Sequence, residues 1–108
     1  MARRWRAGRL LNIGCAHGPD FLPFKQTFDL YGVDFSLEML RFARTYSRKF
    51  NFAVSLSLAD VIHLPFLDET FDWIISVATY HHIEGRQERQ VALNELRRVL
   101  KPGGEAFI

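Results

Sequence analysis

The stretch Leu10-Leu11-Asn12-Ile13-Gly14-Cys15-Ala16-His17-Gly18 decides the fold. An apolar run ends in a turn of small residues, Gly-x-Ala-x-Gly. Such a turn admits a ligand close to the backbone, where larger side chains would block the approach. Sixteen residues beyond Gly18, Asp34 closes a second apolar run that ends Gly32-Val33-Asp34. A glycine turn after one strand and an acid after the next is how doubly wound α/β folds hold a nucleoside.

The rest of the chain reads outward from these two strands. Its 108 residues suffice for one small domain. A formal charge of +2 does not by itself argue for nucleic acid. Eleven of the 14 Lys and Arg residues are arginine, and Arg3, Arg4, Arg6 and Arg9 crowd the start, as a solvated terminus would. The single cysteine excludes an internal disulfide and fits a reducing compartment. Cys15 lies inside the glycine turn and reads as a small packed residue. No apolar run approaches membrane-spanning length and no signal-peptide core follows the basic start, so a cytoplasmic location is expected.

Leu10 to Ile13 and Asp29 to Asp34 read as buried strands. Between them, Pro19 and Pro23 leave room only for a short crossover helix from Asp20 to Lys25. Ser36 is an N-cap for a helix from Leu37 to about Lys49, with Glu38 in its first turn. On that helix Met39, Phe42, Ala43, Tyr46 and Phe50 form an apolar stripe, and Arg41, Arg44, Arg48 and Lys49 a wet face. Phe52, Val54, Leu56 and Leu58 alternate with small residues, as in a strand at a sheet edge. After a loop containing Leu64-Pro65-Phe66, the run Phe71 to Ala78 reads as a central strand covered on both faces. Gly85 to Leu100 reads as a helix whose inner side is Val91, Ala92, Leu96, Val99 and Leu100. Lys101-Pro102-Gly103-Gly104 is expected to stop it, with a fifth strand starting at Glu105. Strands alternating with helices imply parallel β-α-β units, and right-handed crossovers favour the order 3-2-1-4-5. A ligand then sits at the carboxyl ends of strands 1 and 4, where the order reverses.

The last glycine of Gly14-x-Ala16-x-Gly18 stands one place early for the dinucleotide fingerprint, which argues against NAD or FAD. The absence of Gly-Lys-Ser/Thr excludes a Walker phosphate loop. The order of landmarks resembles the class I S-adenosylmethionine-dependent methyltransferases. The matching pieces are Leu11 to Gly18, Gly32 to Ser36, Ala59-Asp60 with Leu64-Pro65-Phe66, Phe71 to Ser76, and Arg98 to Gly104.

That resemblance implies a cofactor site. Asn12 and the turn of Gly14, Cys15, Ala16 and Gly18 would lie against the methionine part of S-adenosyl-L-methionine. Asp34 would accept from both ribose hydroxyls, Phe35 would lie near the adenine, and Asp60 would accept from the adenine amino group beside the Val61 amide. Ser76 and Ala78 would face the transferred methyl. Two positions depart from the family: Asn12 stands where an acid is usual, and Ala16 where glycine is usual. His81 and His82, just past strand 4, are the candidate catalytic residues, because a histidine there can deprotonate or orient an acceptor. No metal is expected, since adjacent histidines point apart and no third ligand stands at metal spacing.

The stretch from Ile75 to Ala78, with His81-His82, Arg86, Arg89, Glu95-Leu96 and Pro102-Gly103-Gly104, resembles the tRNA wobble-uridine methyltransferases, which esterify a carboxymethyl group. That resemblance implies tRNA as methyl acceptor and a small zinc-binding activator subunit pairing along the edge strand 51–58. The alternatives are a small-molecule methyltransferase and a non-catalytic methyltransferase-like scaffold. The likeness covers the cofactor-binding core over residues 1–108, without the helices that precede strand 1 and without strands 6 and 7. The expectation is therefore a fragment, or a domain completed by a partner.

Overall fold

The computed structural model describes residues 8–14, 21, 23, 28–76 and 85–107. The elements are β1 (Gly8–Ile13), β2 (Phe28–Asp34), α1 (Leu37–Lys49), β3 (Ser55–Leu58), β4 (Phe71–Ile75), α2 (Arg86–Val99) and β5 (Leu100–Phe107). All five strands are parallel and stand in the order β3-β2-β1-β4-β5. The edge position read from the alternating third strand is thus observed, although β3 proper is shorter than 51–58. The proposed helix from Asp20 to Lys25 lies largely outside the described residues, but Phe21 is fully buried.

β1 lies at the centre, and Leu10, Leu11, Asn12 and Ile13 are all buried because both sheet faces are covered. Leu10 joins one core layer with Phe21, Phe28, Leu30, Leu40 of α1, Val54, Trp73 and Ile75. There Trp73 meets Phe28 edge-on at 6.5 Å. Leu11 and Ile13 join the other layer with Val33, Leu64, Phe71, Ile74 and the α2 residues Ala92, Leu96 and Val99. Phe71 sits at the heart of this second layer, 5.2 Å from Tyr31 and 4.8 Å from Phe66, each ring edge to face.

α1 has the expected bounds, and the Ser36 hydroxyl accepts from the Met39 amide at 3.3 Å. Its inward face differs from the expected stripe. Leu40, Ala43 and Ser47 are buried, whereas Met39, Phe42 and Phe50 are exposed. Small side chains let the helix lie close on the sheet, and the Ser47 hydroxyl is satisfied within the helix by the Arg44 carbonyl at 2.8 Å. The aromatic residues spread along the flank instead, with Tyr46 tilted against Phe50 at 4.5 Å and edge-on to Phe52 at 6.4 Å.

α2 buries Ala92, Leu96 and Val99, spaced to share one face, and Val91 points away at 46 % exposure. Leu100 has already left the helix and pairs with Phe71 as the first residue of β5. The fifth strand therefore starts five residues earlier than expected. Lys101-Pro102-Gly103-Gly104 forms an excursion within β5, since Phe71 pairs with Leu100 while Trp73 pairs with Glu105. Proline is tolerated there because the excursion falls outside the β4–β5 register, and Gly103 takes φ +81°. The end of α2 is closed by the loop before β4. The amides of Glu69 and Thr70 donate to the carbonyls of Arg98 and Val99, each at 2.8 Å.

Candidate functional site

Parallel strands bring their carboxyl ends to one edge of the sheet. Gly14 turns the chain out of β1 at φ +70°, its amide held by the Val33 carbonyl at 2.9 Å. The Asp34 carbonyl accepts from the Ala59 amide at 3.0 Å, so the β2–β3 ladder delivers Asp60 to the same edge. On the other side of β1, the Ser76 amide donates to the Phe107 carbonyl at 2.9 Å just beyond the end of β4. β4 was expected to run to Ala78; its last strand residue is Ile75, and 77–84 lie outside the described residues.

The two acids are built alike. Asp34 Oδ1 accepts from the Ser36 amide at 3.0 Å, and Asp60 Oδ1 accepts from the Ile62 amide at 3.2 Å. A short carboxylate bonded to the amide two residues on closes an Asx turn, which fixes its direction. Asp34 is buried at 8 % exposure and Asp60 is exposed. Between these acids in the chain, the Phe35 ring stands open to solvent at 83 % exposure. Val61, half-buried, packs against the α2-side core layer.

Asn12 is the most unusual residue of the edge. It is 1 % exposed, and among the described residues neither its amide oxygen nor its amide nitrogen has a hydrogen-bond partner. The Ser76 hydroxyl is likewise buried without a partner. Buried polar atoms are nearly always paired, so each of these calls for a reason. Asn12 pairs in register with Gly32 and Ile75 and lies two residues before the Gly14 turn. The residues read from sequence as Cys15, Ala16, Gly18, Ala78, His81 and His82 lie outside the described residues.

Sequence reasoning missed one polar cluster. Glu95 and Arg98 of α2 reach the loop that follows Asp60 and bond its backbone at Leu64 and Phe66. The signal was a Glu and an Arg three apart on the last turns of a helix, a spacing that puts them on one face. A cleft of about 460 Å³ lies there, bordered by Ile62, His63, Leu64, Val91, Asn94 and these two residues. No group of three or more His, Cys, Asp or Glu that would hold a metal occurs among the described residues.

A parallel sheet of order β3-β2-β1-β4-β5, with Gly14 and two turn-locked acids at its carboxyl edge, defines a doubly wound, Rossmann-like α/β domain. The family model described as a methyltransferase domain matches residues 11–108, and the chain belongs to that family. A protein of Encephalitozoon cuniculi whose name assigns it to the methyltransferases is 37 % identical over 103 residues, covering 95 % of this chain and 45 % of its own length. The tRNA (carboxymethyluridine(34)-5-O)-methyltransferase of Saccharomyces cerevisiae is 32 % identical over 98 residues, covering 91 % of this chain and 33 % of its own. Among solved structures, a SAM-dependent methyltransferase of Methanosarcina mazei superposes with a TM-score of 0.83 at 27 % identity, covering 91 % of this chain and 50 % of that one. The chain spans less than half the length of the curated relatives it matches.

The residues present fit S-adenosylmethionine. A buried carboxylate suits a ribose diol, an open aromatic face suits a purine, and the unpartnered amide of Asn12 suits the zwitterionic amino-acid end. No helix among the described residues is long and apolar enough to cross a membrane.

Proposed function

We propose that this chain is the S-adenosylmethionine-binding core of a methyltransferase. The observation that carries the reading is the pair of turn-locked acids, Asp34 and Asp60, at adjacent strand ends, with the unpartnered Asn12 amide on the next strand. When bound, the cofactor supplies a methyl group on a cationic sulfur that leaves as a neutral thioether. The protein's part is to bind, align and keep dry. Asp34 holds the ribose hydroxyls, because an ionised carboxylate is a two-oxygen acceptor matched to a diol. Phe35 covers the base and Asp60 reads its amino edge beside the Val61 amide. Asn12 and Ser76 orient the amino-acid end, with the Gly14 turn and Cys15, Ala16 and Gly18 close to it and Ala78 near the methyl.

The acceptor belongs to the same proposal: a carboxymethyl group on a tRNA wobble uridine. Support comes from the yeast relative that bears this activity in its name. A carboxylate is ionised at neutral pH and needs no general base. His81 and His82 then orient the acceptor, and the edge strand β3, with Leu58 exposed, is where a zinc-binding activator subunit would pair.

Calorimetric titration with S-adenosylhomocysteine, with NAD as control, tests the reading. The protein is expected to bind the former alone, and Asp34→Ala to weaken it at least about 100-fold, the value of two hydrogen bonds to a charged group. A folded protein that binds neither ligand, or an Asp34→Ala variant that binds as well as the parent, overturns the proposal. An acceptor screen follows, starting with tRNA.

A further inference from the structure

The loop that carries Asp60 is held by two side chains of α2, Arg98 and Glu95. A guanidinium has five N–H donors, and all five of Arg98 are engaged. Nε donates to Glu95 Oε2 at 2.7 Å, and one Nη2 bond goes to Glu95 Oε1 at 3.1 Å. The other three go to the loop: Nη2 to the Leu64 carbonyl at 3.0 Å, and Nη1 to the Phe66 carbonyl at 2.7 Å and the Asp68 carboxylate at 2.9 Å. Glu95 Oε1 completes the clamp by accepting from the Leu64 amide at 2.9 Å. Both backbone groups of Leu64 are therefore bound to α2.

Upstream of Leu64 the chain is stiff. Asp60 accepts from the Ile62 amide through its side chain and from the His63 amide through its carbonyl, at 3.2 and 3.0 Å. Apolar packing seats Leu64 itself, buried with Ala92, Leu96 and Val99 of α2, but does less at the exposed tip of the turn. Ile62 and Val91 are both exposed, and the 460 Å³ cleft lies beside them. A self-bonded turn joined to a clamped residue moves with the clamp.

We infer that Arg98, braced by Glu95, is a positioning residue for base recognition: by fixing Leu64 it sets where the Asp60 carboxylate and the Val61 amide stand relative to Asp34. The inference rests on the adenosine reading of Asp34 and Asp60. Lysine cannot replace this arginine, because an ammonium has three donors and no planar fork.

The test measures base preference, which a merely structural residue would leave alone. S-adenosylhomocysteine and S-inosylhomocysteine differ where the adenine amino group becomes a carbonyl, which Asp60 repels. The parent protein is expected to prefer the adenine form about tenfold, the worth of one hydrogen bond to a charged group. Arg98→Lys is expected to narrow that ratio at least about threefold while weakening the adenine form about tenfold. Glu95→Gln, a milder change that keeps one acceptor, narrows it less and serves if Arg98→Lys does not fold. A parent that binds with preference, and variants that keep its ratio, overturn the inference and leave the adenosine reading intact. A parent that binds without base preference also overturns it. A folded parent that binds neither compound removes the adenosine reading, and the inference falls with it.

Discussion

Replacing Asn12 by leucine is expected to make the protein more stable and worse at binding. The two side chains share the same heavy-atom branching, so the change swaps an amide oxygen and nitrogen for two methyl groups, bulkier and set on a tetrahedral rather than a planar carbon. Both amide atoms are buried and unpartnered. An unsatisfied buried polar group costs about 1–3 kcal/mol, and exchange for an apolar group of the same shape recovers that cost. Leu10, Trp73 and Ile75 supply the apolar layer on this face of the sheet, and Gly32, in register beside position 12, brings no side chain. The gain is then at most about 1–3 kcal/mol, less the strain of seating the larger side chain, and each kcal/mol raises Tm by about 4–8 °C in a domain of this size. Thermal unfolding followed by circular dichroism reads the gain, and calorimetry with S-adenosylhomocysteine reads the loss of affinity. A variant destabilised by more than about 1 kcal/mol would falsify the reasoning: either the Asn12 amide is already satisfied in the free protein or the layer has no room for the larger side chain.

Two further outcomes are expected. The Arg98 guanidinium, bonded to the Glu95 carboxylate, holds that carboxyl below the ordinary glutamate value of 4.5, against the opposing effect of burial. A depressed folded-state pKa stabilises above the unfolded value and loses that contribution as pH falls through the folded one. Urea midpoints should therefore drop below pH 4.5 more steeply in the parent than in Glu95→Gln; parallel curves would dismiss the coupling. Phe71→Ala removes a ring that is fully buried between Tyr31 and Phe66, and about 3–5 kcal/mol is expected to go with it. Urea unfolding of this variant with a loss under about 1 kcal/mol would show that the surrounding rings close the gap.

The strand order was legible because the patterns differ from strand to strand. Leu10 to Ile13 and Phe71 to Ile75 are nearly unbroken apolar runs, as central strands need, while Ser55 to Leu58 alternates, as an edge allows. The ends of α1 were legible through Ser36, a local cap. Its inward face was not, since periodicity ranks large apolar side chains first, and closeness to the sheet selects the small Ala43 and Ser47. The start of β5 was misplaced for a related reason. Proline and two glycines signal a stop, yet a strand can carry them in an excursion between two paired stretches. At the site, the places of Asp34 and Asp60 follow from strand ends that sequence shows. The hold of Arg98 on Leu64 joins residues 34 apart and depends on how α2 lies over the loop, which no local pattern encodes.

Trp73 makes the central sheet optically visible. The indole is 4 % exposed and lies edge-on to Phe28, two residues before Ile75, the register partner of Asn12. An indole in such surroundings emits at shorter wavelength than one in water, and its emission moves when the sheet opens. The only other tryptophan is Trp5, so a Trp5→Phe protein carries a single native emitter within the layer beneath the proposed site. Unfolding of that layer, and tightening of it by a ligand, become separable from events elsewhere in the chain without attaching a label.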